Sequence, residues 1–378
     1  MARKKISITT EDYVDDVIET TERKSKESKR EKRIIPTEEL IPTGSTLLNL
    51  SLSDNYLGGY GLGKFSNLIG DQHAGKSLIA LNMLAECCHL KRFNDYDLVY
   101  DDVEVANAFD IRYLFGDKVE KRITFNIISD SAEDFYGNIY KKIKRGKPFI
   151  WVLDTFDAIA SEEDRERASN LADGKKAGGT YGTSKPKLVS EMFRTIKSDI
   201  KNVEAFLLII SQVRSNLGFG SQFRPKIRSG GKALGFYSTH ESWLSIVQKI
   251  KEREMAIGSV IECRISKNKL TGKQRNVNLS IFYDYGIDDI GQNVDFLIEQ
   301  GHWKKSGRDN DDVRIKRGRK KGASGNIIIV PEFGFEGVRR KIIFDVENKN
   351  LDKELAALVG EVWKKREDGI KLDRRARY

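Results

Sequence analysis

No run of apolar residues in this chain approaches the length needed to span a bilayer, and the charged N-terminus carries no hydrophobic signal region. The expectation is a cytoplasmic protein with no membrane attachment. Cysteine is scarce. Three cannot build a disulfide framework, and Cys87 and Cys88 side by side with Cys263 alone read as reduced core thiols rather than a metal site. The four histidines are scattered too. What the chain has in quantity is charge, 32% of residues against 39% hydrophobic, with a net of +10. Such a balance suits a polyanionic partner, although nucleotide-binding enzymes without nucleic acid share it. At 378 residues the chain exceeds one ordinary compact core, so a large central domain with appended pieces is expected.

The stretch from Phe65 to Phe93 organises the rest. A short apolar strand, Phe65 to Ile69, ends at Gly70; a loop follows, and an amphipathic segment begins at Ser77 with Leu78, Leu81, Leu84 and Cys88 on one face. The loop reads GxxxxGKS. Gly70 and Gly75 let the backbone curl until successive N–H groups point at a polyphosphate, at the positive end of the next helix. Asp71, Gln72, His73, Ala74 and Leu78 complete the candidate cradle, Lys76 reaches the terminal phosphates, and the Ser77 hydroxyl is a candidate Mg²⁺ ligand. ATP and Mg²⁺ are the implied ligands.

Beyond the loop, apolar strands alternate with helical periods, the pattern of an α/β fold on a mostly parallel sheet. Strands are expected at Asp97 to Asp101, Thr124 to Ile128, Pro148 to Asp154 and Ala205 to Ser211, with helices from Ala132 to Lys144 and Leu188 to Lys201. Trp243 to Lys251, Ser259 to Ser266 and Val277 to Tyr283 read as further strands, and Gly44 to Leu50 as the start of a short helix. Two segments without apolar periodicity, Ser161 to Pro186 and Val213 to Lys232, read as long working loops. Residues 1–40 form a charged N-terminal segment, with a short helix from Thr10 to Thr21; 41–305 form the core; 306–378 form a small module.

Phosphoryl transfer to water needs the cradle, Mg²⁺ and a group to orient the water. Asp154, ending an apolar strand, suits a Walker-B carboxylate, and Glu104, just past the neighbouring strand, suits the polarising base. Gln212 ends a strand whose carboxyl edge faces the same crevice, as a γ-phosphate sensor or as a plain solvent-facing amide. The segment behind it carries Arg214, Arg224, Lys226, Arg228 and Lys232, with no acidic residue before Glu241 and with Phe219 and Phe223 interleaved. Cations on a Gly-rich backbone, Gly230 and Gly231 included, can follow phosphates, and aromatics can wedge between bases.

With these residues in place the sequence resembles the RecA-family recombinases, including their bacteriophage UvsX-type members, over about Ile41 to Lys305. IPTGSTLLNLSLS, YDDVE, FIWVLDT, IISQVRSNLGFG, SGGKALGFY, ISKNKL and FYDYGIDDIGQNVDFLIEQGHWKK carry the likeness. The resemblance implies that Glu104 is the catalytic glutamate, that Gln212 couples ATP to the second DNA loop, Arg214 to Lys232, and that Ser161 to Pro186, with Lys175 and Lys176, is the first. It implies that Lys267 and Lys269 face the ATP of the adjacent subunit, that Tyr113 and Tyr283 flank the adenine, and that Phe236 docks one subunit on the next. It further implies ATP-dependent helical filaments on single-stranded DNA, strand exchange with homologous duplex DNA, single-strand-binding and loader proteins as partners, and a bacterial or phage-infected cell. A ring-forming helicase and a non-hydrolysing mediator paralogue are the alternatives.

After Lys305 the likeness fades. RIKRGRKK from Arg314 is a basic cluster, Asn326 to Val330 and Lys341 to Val346 read as pairing strands, and Asn350 reads as the cap of a helix stopped at Gly369. This module either collects duplex DNA or is a solvated cap.

Overall fold

The strands form where the apolar runs are. In the computed structural model, which describes residues 35–105, 109–174, 184–215, 226–228, 231–308 and 326–370, β1 (Leu40–Ile41) and β2 (Tyr60–Gly61) pair ahead of the glycine loop. The central sheet takes β3 (Lys64–Gly70), β4 (Asp97–Asp102), β5 (Ile123–Thr124), β6 (Phe149–Asp154), β7 (Phe206–Ser215), β8 (Lys226–Arg228), β9 (His240–Glu252), β10 (Met255–Asn268), β11 (Arg275–Phe282) and β12 (Gly286–Ile287). Their order is β12-β11-β10-β9-β3-β7-β6-β4-β5, with β8 on β7. From β9 to β5 all neighbours are parallel, and β10 to β12 extend the sheet as an antiparallel edge.

Parallel strands covered on both faces read as continuous apolar runs. In β6, Ile150 and Val152 enter one core while Phe149, Trp151 and Leu153 enter the other; β7 divides Phe206, Leu208 and Ile210 from Leu207 and Ile209 in the same way. The helix Lys76–His89 covers the first face, and the helices Ala132–Lys144 and Ser184–Asn202 the second. Lys76–His89 is buried nearly all round, including Ile79, Met83 and Cys87, rather than along one stripe.

Five expectations change. Val213 to Lys232 is not simply a loop, since β7 runs on to Ser215, β8 pairs back on it, and the helix Gly231–Tyr237 begins before its end. The strand foreseen from Thr124 to Ile128 pairs only through Ile123 and Thr124, because the buried Asp101 carboxylate takes the Ser129 N–H (2.9 Å) and hydroxyl (2.6 Å) and draws the chain off the edge. Ser161 to Pro186 is not simply a loop. It holds a helix, Glu162–Ala172, capped by Ser161 with Glu162, Glu163 and Asp164 in its first turn, and Ser184 starts the next one. Lys341 to Val346 is not a strand but part of the helix Arg339–Asn348, which buries Ile342 and Val346 four residues apart. The partners of β14 (Asn326–Val330) are instead β13 (Lys304–Arg308) and β15 (Phe335–Gly337). Asn350 does not cap the last helix; it is left-handed (φ 51°) behind Arg339–Asn348, and Leu351 stands before Asp352–Gly369, whose final residue is Gly369.

Thr37 to the last helix forms one compact unit. Trp363 of that helix packs tilted on Phe296 (ring centroids 5.9 Å apart), and Glu367 meets Arg275 at 2.7 Å. The foreseen helix Thr10 to Thr21 and the basic cluster from Arg314 lie outside the described residues.

Candidate nucleotide site and cationic segment

Register lines up the chemistry. Gly70 pairs with Gln212 and Asp102 with Asp154, so the loop, the sensor candidate and the acidic strand ends share the carboxyl edge of the sheet. Because β7 lies between β3 and β6, Gln212 stands between the loop and the carboxylates.

At the loop, Gly75 is left-handed (φ +77°), and a Cβ there would fall 2.7 Å from Ile261 Cδ1. The left-handed backbone favours glycine here, and any larger residue would have to push the Ile261 side chain aside. Lys76 is buried and donates to the carbonyls of Gly70 (3.1 Å) and Asp71 (2.7 Å). Burial pulls its pKa below the usual lysine value, while Asp154, Glu104, Asp71 and Asp157 oppose that pull. The ammonium is thus held at the helix N-terminus among carbonyls and acids, a reserve of positive charge for an anion.

Ser77 Oγ donates to Asp154 Oδ2 at 2.5 Å, and the Tyr100 hydroxyl donates to the same oxygen. Burial raises the Asp154 pKa, tempered by those two donors. A hydroxyl beside a buried carboxylate is a hard oxygen donor set, and among the described residues no group of three or more His, Cys, Asp or Glu forms a metal cluster. The pair fits Mg²⁺, which takes one or two protein oxygens and completes its shell with phosphates and water.

Glu104 sits in the turn after β4, where its Oε1 accepts from Thr155 Oγ1 (2.8 Å) and from Gln212 Nε2 (2.8 Å). The base candidate and the sensor candidate therefore touch. A cleft of about 380 Å³ opens from the loop, lined by His73 to Leu78, Phe109, Ser259, Ile261, Ile281 and Tyr283. Phe109 is part of this lining, whereas Tyr113 lies on the helix Ile111–Phe115, 70% exposed and off the lining. Tyr283 OH lies 3.2 Å from Lys249 Nζ and 3.3 Å from Ser259 Oγ, and these contacts, Ser259 first, lower its pKa.

Lys267 and Lys269 belong to another surface. Lys267 pairs with Glu241 and Glu241 with Asn67, about 10 Å back from Gly70 at 3.3 Å per residue. Both ammoniums cap the helix Gly231–Tyr237. Lys267 donates to the Gly235 carbonyl and to that of Phe236 (3.1 Å), and Lys269 to Phe236 (3.0 Å), with the Phe236 ring 70% exposed beside them. In the cationic segment, Arg214 pairs with Ile227 and Val213 with Arg228 across β7 and β8, and Gly231 and Lys232 open the helix that follows. Lys226 begins β8. Phe219, Phe223, Arg224, Gly230, Lys175 and Lys176 lie outside the described residues.

Tyr100, Thr155, Asp157, Phe109 and Ser259 escaped the sequence reading. Tyr100, Thr155 and Asp157 flank acidic strand ends already picked out, so their place in YDD and LDTFD was the available signal. Phe109 and Ser259 carried none, because only folding brings them to the loop.

Residues 25–288 match the model of the RecA N-terminal domain. The chain is 28% identical over 273 residues to Protein RecA of Chlorobaculum tepidum, covering 71% of this chain and 72% of that protein. It is 26% identical over 285 residues to Protein RecA of Bacteroides thetaiotaomicron, covering 74% and 80%. Against Protein RecA of Oleidesulfovibrio alaskensis the figures are 26% over 270 residues, 71% and 72%. Among the described residues no helix is long and apolar enough to cross a membrane.

Proposed function

The chain belongs to the RecA family, and from that premise we propose that it is an ATP-dependent recombinase of the UvsX type, one that polymerises on single-stranded DNA and pairs it with homologous duplex. The observation that carries this reading is the contact between Glu104 and Gln212 (2.8 Å), because it joins the hydrolytic carboxylate to the strand that runs into the cationic segment.

Lys76 turns from the loop carbonyls to the terminal phosphates of ATP, and the N–H groups of Gly70 to Ser77 close round them. Ser77 and Asp154 would hold Mg²⁺, which neutralises charge on the phosphates when bound. Glu104 orients the attacking water and accepts its proton. Gln212 exchanges its bond to Glu104 for the γ-phosphate, and β7 carries that change towards Arg214 and beyond. The adenine lies in the cleft between Tyr283 and Phe109. Lys267 and Lys269, well away from their own loop, meet the nucleotide of the next protomer, and Phe236 docks one subunit on the next, a head-to-tail contact that generates an open helix. Arg214 to Lys232 then grip DNA through phosphates, with no sequence preference. A single-strand-binding protein and a loader fit the same cycle as partners.

The test is joint-molecule formation from homologous single-stranded and duplex DNA with ATP and Mg²⁺. Joint molecules that need both homology and ATP support the reading; their absence under conditions where ATP is hydrolysed contradicts it.

A further inference from the structure

Strand β6 pairs with β7 only as far as Leu153 and Ile209, and the ladder is then continued by other means. The chain after β6 bends so that the Phe156 N–H donates to the Ile210 carbonyl at 2.9 Å. Two residues further along β7, the Gln212 N–H donates to Asp157 Oδ2 at 2.6 Å. A side-chain carboxylate thus takes the place a carbonyl would have held, and it does so at the residue whose amide reaches Glu104. Carboxylates accepting from backbone N–H groups make short, strong bonds. From this we propose that Asp157 is a positioning residue: its oxygen fixes the height of Gln212 on β7 and so sets the coupling between ATP hydrolysis and the DNA-gripping segment. The inference rests on the recombinase reading.

What matters in this account is an acceptor at one place, not a negative charge. Asp157→Asn keeps an oxygen where it is and removes the charge. Asp157→Glu keeps the charge and moves the oxygen outward by one methylene. Asp157→Ala removes the acceptor.

Full-length wild-type protein and the three variants are compared for ATP turnover with and without single-stranded DNA, and for affinity towards a fluorescent ATP analogue. The Ala and Glu variants should bind the analogue within about twofold of wild type yet lose DNA stimulation on the order of tenfold, since misplacing a catalytic neighbour weakens turnover rather than binding. The Asn variant should keep stimulation to within about threefold. A merely structural role would lower binding and turnover together and would not separate Asn from Glu. Full stimulation in the Glu variant, or its loss in the Asn variant, overturns the assignment of Asp157. A wild-type enzyme that hydrolyses ATP without any response to DNA overturns the functional reading itself.

Discussion

At Glu104 the contacts with Thr155 and Gln212 hold one carboxylate oxygen over the edge of the sheet. Glu104→Gln keeps the shape but cannot take a proton, so turnover should fall roughly 10²- to 10⁴-fold while ATP affinity stays near wild type, as pre-steady-state kinetics would read. Phe109→Ala should weaken ATP binding by about tenfold and Tyr113→Ala by far less, measured by titration, since of the two Phe109 lines the cleft and Tyr113 does not. Gly70 to Ser77 could be picked out as a candidate phosphate loop from residue types alone, because such a loop asks for left-handed backbone, available N–H groups and one cation in a fixed order. Phe109 could not, since any apolar residue in the turn after β4 would have looked the same. Asp289 shows another limit. It accepts from the Thr46 N–H (2.6 Å), the Thr46 hydroxyl (2.7 Å) and Asn293, and burial pushes its pKa up to about 6. The native protein holds that proton to about pH 6, whereas the unfolded chain releases it near 3.9. The stability this site contributes is therefore greatest below about pH 4 and is lost as pH rises to about 6. Asp289→Asn should flatten that part of the stability profile, which urea unfolding of both proteins between pH 4 and 7 would measure.

Among elements, most of those fixed by apolar burial were legible and those fixed by polar capture were not. β6, β7 and the helix Ala132–Lys144 follow their apolar patterns closely. The helix Glu162–Ala172 buries no residue and owes its start to Ser161, so hydrophobic periodicity was blind to it. Arg339–Asn348 misled because KIIFDV carries the β-branched Ile342, Ile343 and Val346, while the residues it buries, Ile342 and Val346, are at helical spacing. The last helix makes a packing prediction. Trp363 lies on Phe296, with the Arg275 and Arg366 guanidiniums over its ring at 5.2 and 4.9 Å. Trp363→Ala should cost about 3 kcal/mol in chemical denaturation. Joint replacement of Arg224, Lys226 and Arg228 by alanine should weaken single-strand binding and flatten its salt dependence, with a slope reduced by roughly two; an unchanged slope places the DNA elsewhere.

For the whole molecule the governing claim is that one protomer's loop is completed by the next. Lys267, Lys269 and Phe236 gather around the C-terminal carbonyls of one helix, with Lys269 and Phe236 exposed and Lys267 half-buried, at a distance from their own Lys76. Lys76→Ala and the double variant Lys267→Ala with Lys269→Ala should each be inactive alone. Mixed in equal amounts they should recover activity at roughly a quarter of the interfaces, where an intact loop meets intact lysines in a head-to-tail chain. The most direct measurement is the affinity for single-stranded DNA with and without a non-hydrolysable ATP analogue, read together with electron microscopy of the same samples. The analogue should tighten binding at least about tenfold and bring out helical polymers along the strand. Equal affinity without any nucleotide, and no polymer, would contradict the account.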